Sequence, residues 1–138
     1  VWENRTIKNG ENLLSDLDSD LYDLDFEFDM TQSSSFEIGV RGATIRYDAP
    51  SKRILCEGPT VHQPKENLGE APLQPIEGKL QLRVLVDRTC LEVYGNDGEV
   101  VLTSSFMPKP DCREYFLLAE SQVNILKANI SKLNSIWQ

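Results

Sequence analysis

Apolar and polar residues alternate with a period of two over most of this chain, the mark of half-buried β-strands. The pattern is clearest from Leu80 to Phe106. Leu80, Leu82, Val84 and Val86 share one face, while Gln81, Arg83, Leu85 and Asp87 share the other. Asp87-Arg88-Thr89 then predicts a reversal. A second strand comes next, with Leu91 and Val93 on one side and Cys90, Glu92 and Tyr94 on the other. Gly95-Asn96-Asp97-Gly98 supplies residue types that tolerate positive φ, as a hairpin turn demands. Glu99 to Ser105, with Val100, Val101 and Leu102, completes a three-stranded meander.

The same period recurs upstream. Tyr22, Leu24, Phe26 and Phe28 are expected inward, with Asp23, Asp25, Glu27 and Asp29 outward on an acidic, solvated face. Phe36, Ile38 and Val40 predict another strand, Ala43 to Tyr47 the next, and Lys52 to Glu57 a third after the turn at Asp48-Ala49-Pro50-Ser51. Trp2 to Leu14 shows no firm period. Residues 59–78 hold Pro59, Pro64, Pro72 and Pro75 and read as a long irregular connection between sheets. Near the end, Tyr115 to Glu120 reads as a core strand. Val123 to Leu133 fits two periods: a helix would align Ile125, Ala128 and Lys132, a strand Leu126, Ala128 and Ile130. The all-β surroundings favour the strand.

Composition narrows the class of function. The 138 residues suit a single domain over 1–138, long enough to bury a core without metal or disulfide staples. Fourteen basic and twenty-two acidic residues leave a net charge of −8 and no basic patch, which argues against a nucleic-acid partner. No apolar run approaches the roughly 18 residues of a membrane-spanning helix, so no membrane partner is expected. The start at Val1-Trp2, without an initiating Met, suggests a piece of a longer protein.

Candidate metal and redox chemistry is thin. Asp16, Asp18, Asp20 and Glu27 imitate the ligand spacing of a calcium loop, but Leu21 stands where the loop needs glycine. His62 has no second ligand at metal spacing. Cys56, Cys90 and Cys112 allow at most one disulfide, form no Cys-x-x-Cys pair, and read as buried or unpaired thiols. No metal and no cofactor are expected. Two sequons, at Asn4 and Asn129, carry meaning only in a secreted eukaryotic protein, and Asn129 fits poorly within a central strand.

The run VLVDRTCLEVYGNDGEVVLTSSFMP, Val84 to Pro108, resembles the signature of the C-terminal β-sandwich domain of family 32 glycoside hydrolases, the invertases, inulinases and levanases. Asp87, Arg88, Glu92, Tyr94, Asn96, Asp97, Gly98 and Pro108 stand at the matching places. Thr89 replaces the usual serine and Tyr94 the usual phenylalanine. FEIGVRGATIRYDAPSKRILCEG is similar to the family's middle hairpins. At Cys56-Glu57-Gly58-Pro59 the chain departs from that pattern, because the family often has an acidic-basic pair and a serine-glycine stretch after this strand.

The resemblance implies an all-β fold, a β-sandwich of two antiparallel sheets (jelly-roll-like or concanavalin-like), which agrees with the count of about eight to ten strands from periodicity. It also implies an N-terminal catalytic propeller in the same polypeptide as partner, an extracellular or periplasmic setting, and no catalytic residues in this chain. The implied role is accessory: to stabilise that propeller and assist substrate binding or oligomerisation. An alternative is a module that binds fructan or fructose, with carbohydrate-binding candidates Asp87, Arg88, Glu92, Tyr94, Arg46 and Tyr47. An unrelated lectin-like sandwich is a second alternative, disfavoured by the motif. Asp87 and Glu92 also admit a plainer reading, turn hydrogen bonding and a cross-strand pair with Arg83 or Arg88.

Overall fold

A computed structural model describes residues 2–8, 10–12, 14–17, 21–31, 33–60, 65–106 and 114–132. Among these residues there are eleven strands and no helix: β1 (Trp2–Lys8), β2 (Tyr22–Asp29), β3 (Phe36–Val40), β4 (Ala43–Asp48), β5 (Arg53–Gly58), β6 (Glu66–Pro72), β7 (Lys79–Val86), β8 (Cys90–Gly95), β9 (Val100–Ser105), β10 (Tyr115–Ala119) and β11 (Gln122–Lys132). They form a six-stranded sheet in the order β1-β11-β2-β7-β8-β9 and a five-stranded sheet in the order β10-β3-β4-β5-β6. Every pairing is antiparallel. The expected sandwich of two antiparallel sheets is what the chain adopts.

Alternation explains the core. Tyr22, Leu24, Phe26 and Phe28 of β2, and Leu80, Leu82, Val84 and Val86 of β7, face inward and are buried, opposite Phe36, Ile38, Ala43, Ile45 and Tyr47 of the other sheet. An aromatic chain crosses between the sheets. Phe26 and Phe28 lie 5.5 Å apart, Phe28 and Phe36 4.4 Å, and Phe36 and Tyr47 5.7 Å between ring centroids. Such pairs add about 0.5–1.5 kcal/mol each beyond the area they bury.

Two elements depart from the sequence reading. The connection over 59–78 contains a strand, β6, which pairs with β5. Its own residues do not alternate, because a bulge at Leu68 separates the Cys56–Gly69 and Glu57–Asn67 pairs. Gly69 takes φ +147 there, a conformation open to glycine. Pro72 is tolerated because β6 is an edge strand. His62 lies outside the described residues.

In β11 the strand reading holds but the inward face differs. Val123, Ile125 and Ala128 are buried, while Leu126 is the extra residue of a bulge between Ile125 and Lys127. The bulge slips the phase by one, so Ile125 and Ala128 stand three apart and imitate a helical stripe. Asn129 is exposed on the outer face even though β11 is an interior strand.

Cys56 and Cys90 are free thiols, and Cys112 lies outside the described residues. Burial pushes the Cys56 thiol up to about 12. Native protein at pH 8 is therefore expected to leave Cys56 unalkylated by iodoacetamide, with modification in denaturant, as read by peptide mass spectrometry. Rapid native labelling would contradict its placement in the core.

Candidate functional site

Of the residues that carry the family-like signature, Asp87 and Arg88 precede β8, Glu92 and Tyr94 lie within it, Asn96, Asp97 and Gly98 follow it, and Pro108 lies outside the described residues. At the β7–β8 reversal, the Asp87 amide donates to the Cys90 carbonyl at 2.9 Å, and the Arg88 amide donates to Asp87 Oδ1 at 2.6 Å. The Arg88 carbonyl accepts from Arg41 Nη1 at 3.0 Å. Arg41 is itself buried and sits at φ +49 in the β3–β4 turn. One guanidinium thus ties a turn of the five-stranded sheet to a turn of the six-stranded sheet.

The β8–β9 turn is held as firmly. Asn96, Asp97 and Gly98 all have positive φ, at 51, 57 and 91. Asn96 is buried. Its amide donates to the Gln81 carbonyl at 2.9 Å, its Oδ1 accepts from the Gln81 amide at 3.2 Å, and its Nδ2 donates to the Gln74 carbonyl at 2.7 Å. Gln81, with its carboxamide nitrogen turned toward Asp97, donates to both carboxylate oxygens at 3.0 and 3.1 Å. These motif residues build the turn and anchor the loop before β7.

The six proposed sugar-contacting residues do not converge. Asp87 and Arg88 are exposed at the end of the six-stranded sheet. Glu92 and Tyr94 share its outer face, where Tyr94 Oη donates to Glu92 Oε2 at 2.7 Å, and that carboxylate pushes the phenol upward. Arg46 lies on the outer face of the other sheet, paired with Glu37 at 3.2 Å. Tyr47 is fully buried, and its hydroxyl donates to the Leu73 carbonyl at 2.7 Å. Its place in the alternation of β4 points the Tyr47 side chain into the core. Tyr47→Phe is expected to cost about 1–3 kcal/mol in urea unfolding by leaving that carbonyl unpaired, with no effect on any sugar titration.

Of the cross-strand pair expected for Asp87 and Glu92 with Arg83 or Arg88, no ion pair forms among the described residues. Arg83 instead grips Asp23 through Nε at 3.0 Å and Nη2 at 2.7 Å, a bidentate pair between β7 and β2. Glu92 takes the Tyr94 hydroxyl in its place.

What the fold does assemble is a depression of about 520 Å³ on the outer face of the six-stranded sheet. Register places Asp25 opposite Arg83, Arg83 opposite Tyr94, and Tyr94 opposite Val101, a row across β2, β7, β8 and β9. Leu85, Gln81, Asp97 and Gly98 complete the lining. Partial burial raises the Asp25 carboxyl, against the lowering effect of Arg83. Of the six candidates only Tyr94 lines this surface. The pairing of β2 with β7, distant in sequence, is the information that periodicity lacks. Among the described residues no group of three or more His, Cys, Asp or Glu side chains is placed to hold a metal ion. Asp18 and Asp20 of the calcium-like run lie outside the described residues, and Glu27 faces Lys79 at 4.0 Å.

Comparison with known proteins gives a consistent answer. Residues 1–135 match the sequence profile described as glycosyl hydrolases family 32 C terminal. A levanase of Bacillus subtilis (strain 168) is 30% identical over 151 residues, which cover 99% of this chain and 22% of that protein. Sucrose-6-phosphate hydrolase of Escherichia coli is 31% identical over 97 residues, covering 70% of this chain and 19% of that protein. The crystal structure of exo-inulinase from Aspergillus awamori superposes with a TM-score of 0.82 at 23% identity, over 96% of this chain and 28% of that one. The chain therefore spans about a fifth of the curated relatives it matches.

Proposed function

The chain belongs to the C-terminal domain family of the family 32 glycosyl hydrolases, and from that premise we propose that it is the accessory β-sandwich of a fructan- or sucrose-hydrolysing enzyme. In this reading it packs on a catalytic domain of the same polypeptide and stabilises it. The observation that carries the proposal is the end-to-end match to a levanase of which this chain amounts to 22%. The geometry agrees, since Asp87 and Asn96 spend polar groups on bonds within the sandwich.

The large hydrophobic residues most exposed among those described, Ile76, Val101 and Leu118, lie on a loop, on one sheet and on the other. They do not merge into one apolar patch. Contact with a catalytic neighbour is therefore expected to be of the polar kind common between domains of one chain.

Removal of residues 1–138 from the full-length polypeptide is expected to lower the temperature of half-inactivation of fructoside hydrolysis by at least about 5 °C. An unchanged inactivation temperature would remove the stabilising role. A second reading, a module that recognises a terminal fructoside, is favoured by the depression beside Tyr94.

A further inference from the structure

We propose that the depression between Asp25, Arg83, Tyr94 and Val101 is a binding site for one neutral sugar ring. Of the six residues first suggested for sugar contact its lining keeps only Tyr94, and only the choice of a fructoside as ligand rests on the function proposed above.

The site has the dimensions for such a ligand. The row from Asp25 to Val101 crosses four adjacent strands, three inter-strand spacings or about 14 Å. The volume of about 520 Å³ falls within the roughly 300–1,000 Å³ usual for small-molecule sites.

Its surface is divided in the way a sugar is divided. Val101 is 50% exposed on the outer face, and Leu85 and the Tyr94 ring are part-buried beside it. They offer an apolar floor for the C–H face of a ring. Around that floor stand groups of both hydrogen-bonding senses. Asp25 accepts no hydrogen bond from the described residues, so its oxygens remain available. Arg83 spends Nε and one Nη2 proton on Asp23, which leaves guanidinium protons over for a ligand. Asp97 and Gln81 close the far end.

The charges choose the class of ligand. Asp25, Asp97 and the nearby Asp23 repel an anion, while the Arg83 guanidinium in the middle of the row and Lys127 of the neighbouring β11 oppose a cation. A hydroxyl both donates and accepts, so adjacent hydroxyls satisfy a bare carboxylate and a guanidinium together.

The site is held in place before any ligand arrives. Tyr94 is tethered by Glu92, Arg83 by Asp23 and Asp97 by Gln81. Fixed side chains lower the ordering cost of binding.

The test is titration of the 138-residue chain with methyl β-fructofuranoside, methyl α-glucopyranoside, galacturonate and spermidine, monitored by NMR shifts and calorimetry. A neutral glycoside is expected to bind with Kd of about 1–10 mM, as suits one ring on a shallow surface. Tyr94→Ala and Asp25→Asn should each weaken it at least tenfold, while Arg46→Ala, on the opposite sheet, leaves it unchanged. Asp25→Asn keeps the shape and relieves a raised carboxyl, so its thermal midpoint should hold or rise, which separates lost binding from lost folding. Affinity should also fall as acid protonates Asp25, at a pH above the ordinary carboxylate value.

Equal binding of the fructoside and the glucoside supports the site and contradicts its tie to fructans. No shift with either glycoside, binding that survives both site variants, or spermidine or galacturonate binding in place of the glycosides overturns the proposal.

Discussion

Phe28→Ala is expected to destabilise the protein by about 3–5 kcal/mol, the largest effect of any single substitution considered. Phe28 is fully buried and stands at the centre of the aromatic chain, 5.5 Å from Phe26 within its own strand and 4.4 Å from Phe36 across the interior. Truncation removes the ring's transfer energy and opens a cavity between two sheets whose backbones cannot collapse to fill it. Phe28→Leu retains most of the volume and should cost well under half as much. Urea unfolding by far-ultraviolet dichroism measures both, and a loss below about 1 kcal/mol for Phe28→Ala would place the ring outside the core.

Asn96→Ala is expected to cost about 2–4 kcal/mol, the second largest effect. The substitution removes the side-chain bonds to the Gln81 amide and the Gln74 carbonyl, both part-buried. It also forces a residue with Cβ and no compensating polar group to keep φ near 51, a left-handed conformation that asparagine tolerates better than alanine. Asn96→Gly separates the two causes. It keeps the positive φ without strain and should recover about 1 kcal/mol of the loss. If alanine and glycine were equally damaging, the hydrogen bonds alone would account for the position.

Most of the fold is legible in the sequence because alternation is strict where strands face a core on one side only. β2, β4, β7 and β8 show it, and their inward residues are those buried, while in β3 the outward Gly39 is buried as well, under the Phe116 ring. Legibility fails at bulges. In β6 the extra residue Leu68 erases the period, and in β11 the extra residue Leu126 moves Ala128 into phase with Ile125.

The site is less legible than the fold. Tyr94 belongs to the sugar-contacting set that the signature suggests, and Gln81, Arg83 and Val101 flank it within the β7–β8–β9 meander, yet Asp25 reaches it only through the register of β2 with β7, strands far apart in the chain. Tyr47 stands beside Arg46 in the sequence, but neighbours in a strand point to opposite faces. The Val84–Pro108 signature identifies the family and supplies Leu85, Tyr94, Asp97, Gly98 and Val101 to the depression, while Asp25, Gln81 and Arg83 come from outside it. Its polar residues are mostly engaged in holding turns.

The division between signature residues that hold turns, such as Asp87, and an outer sheet face around Tyr94 that meets solutes is tested most directly by one paired measurement on Asp87→Ala. Thermal unfolding and calorimetric titration with methyl β-fructofuranoside are run on the same preparation beside the unaltered chain. The structure predicts a lowered midpoint, because the Arg88 amide loses its acceptor, with sugar affinity unchanged. An unchanged midpoint with sugar binding abolished would contradict it and return the ligand site to the signature itself.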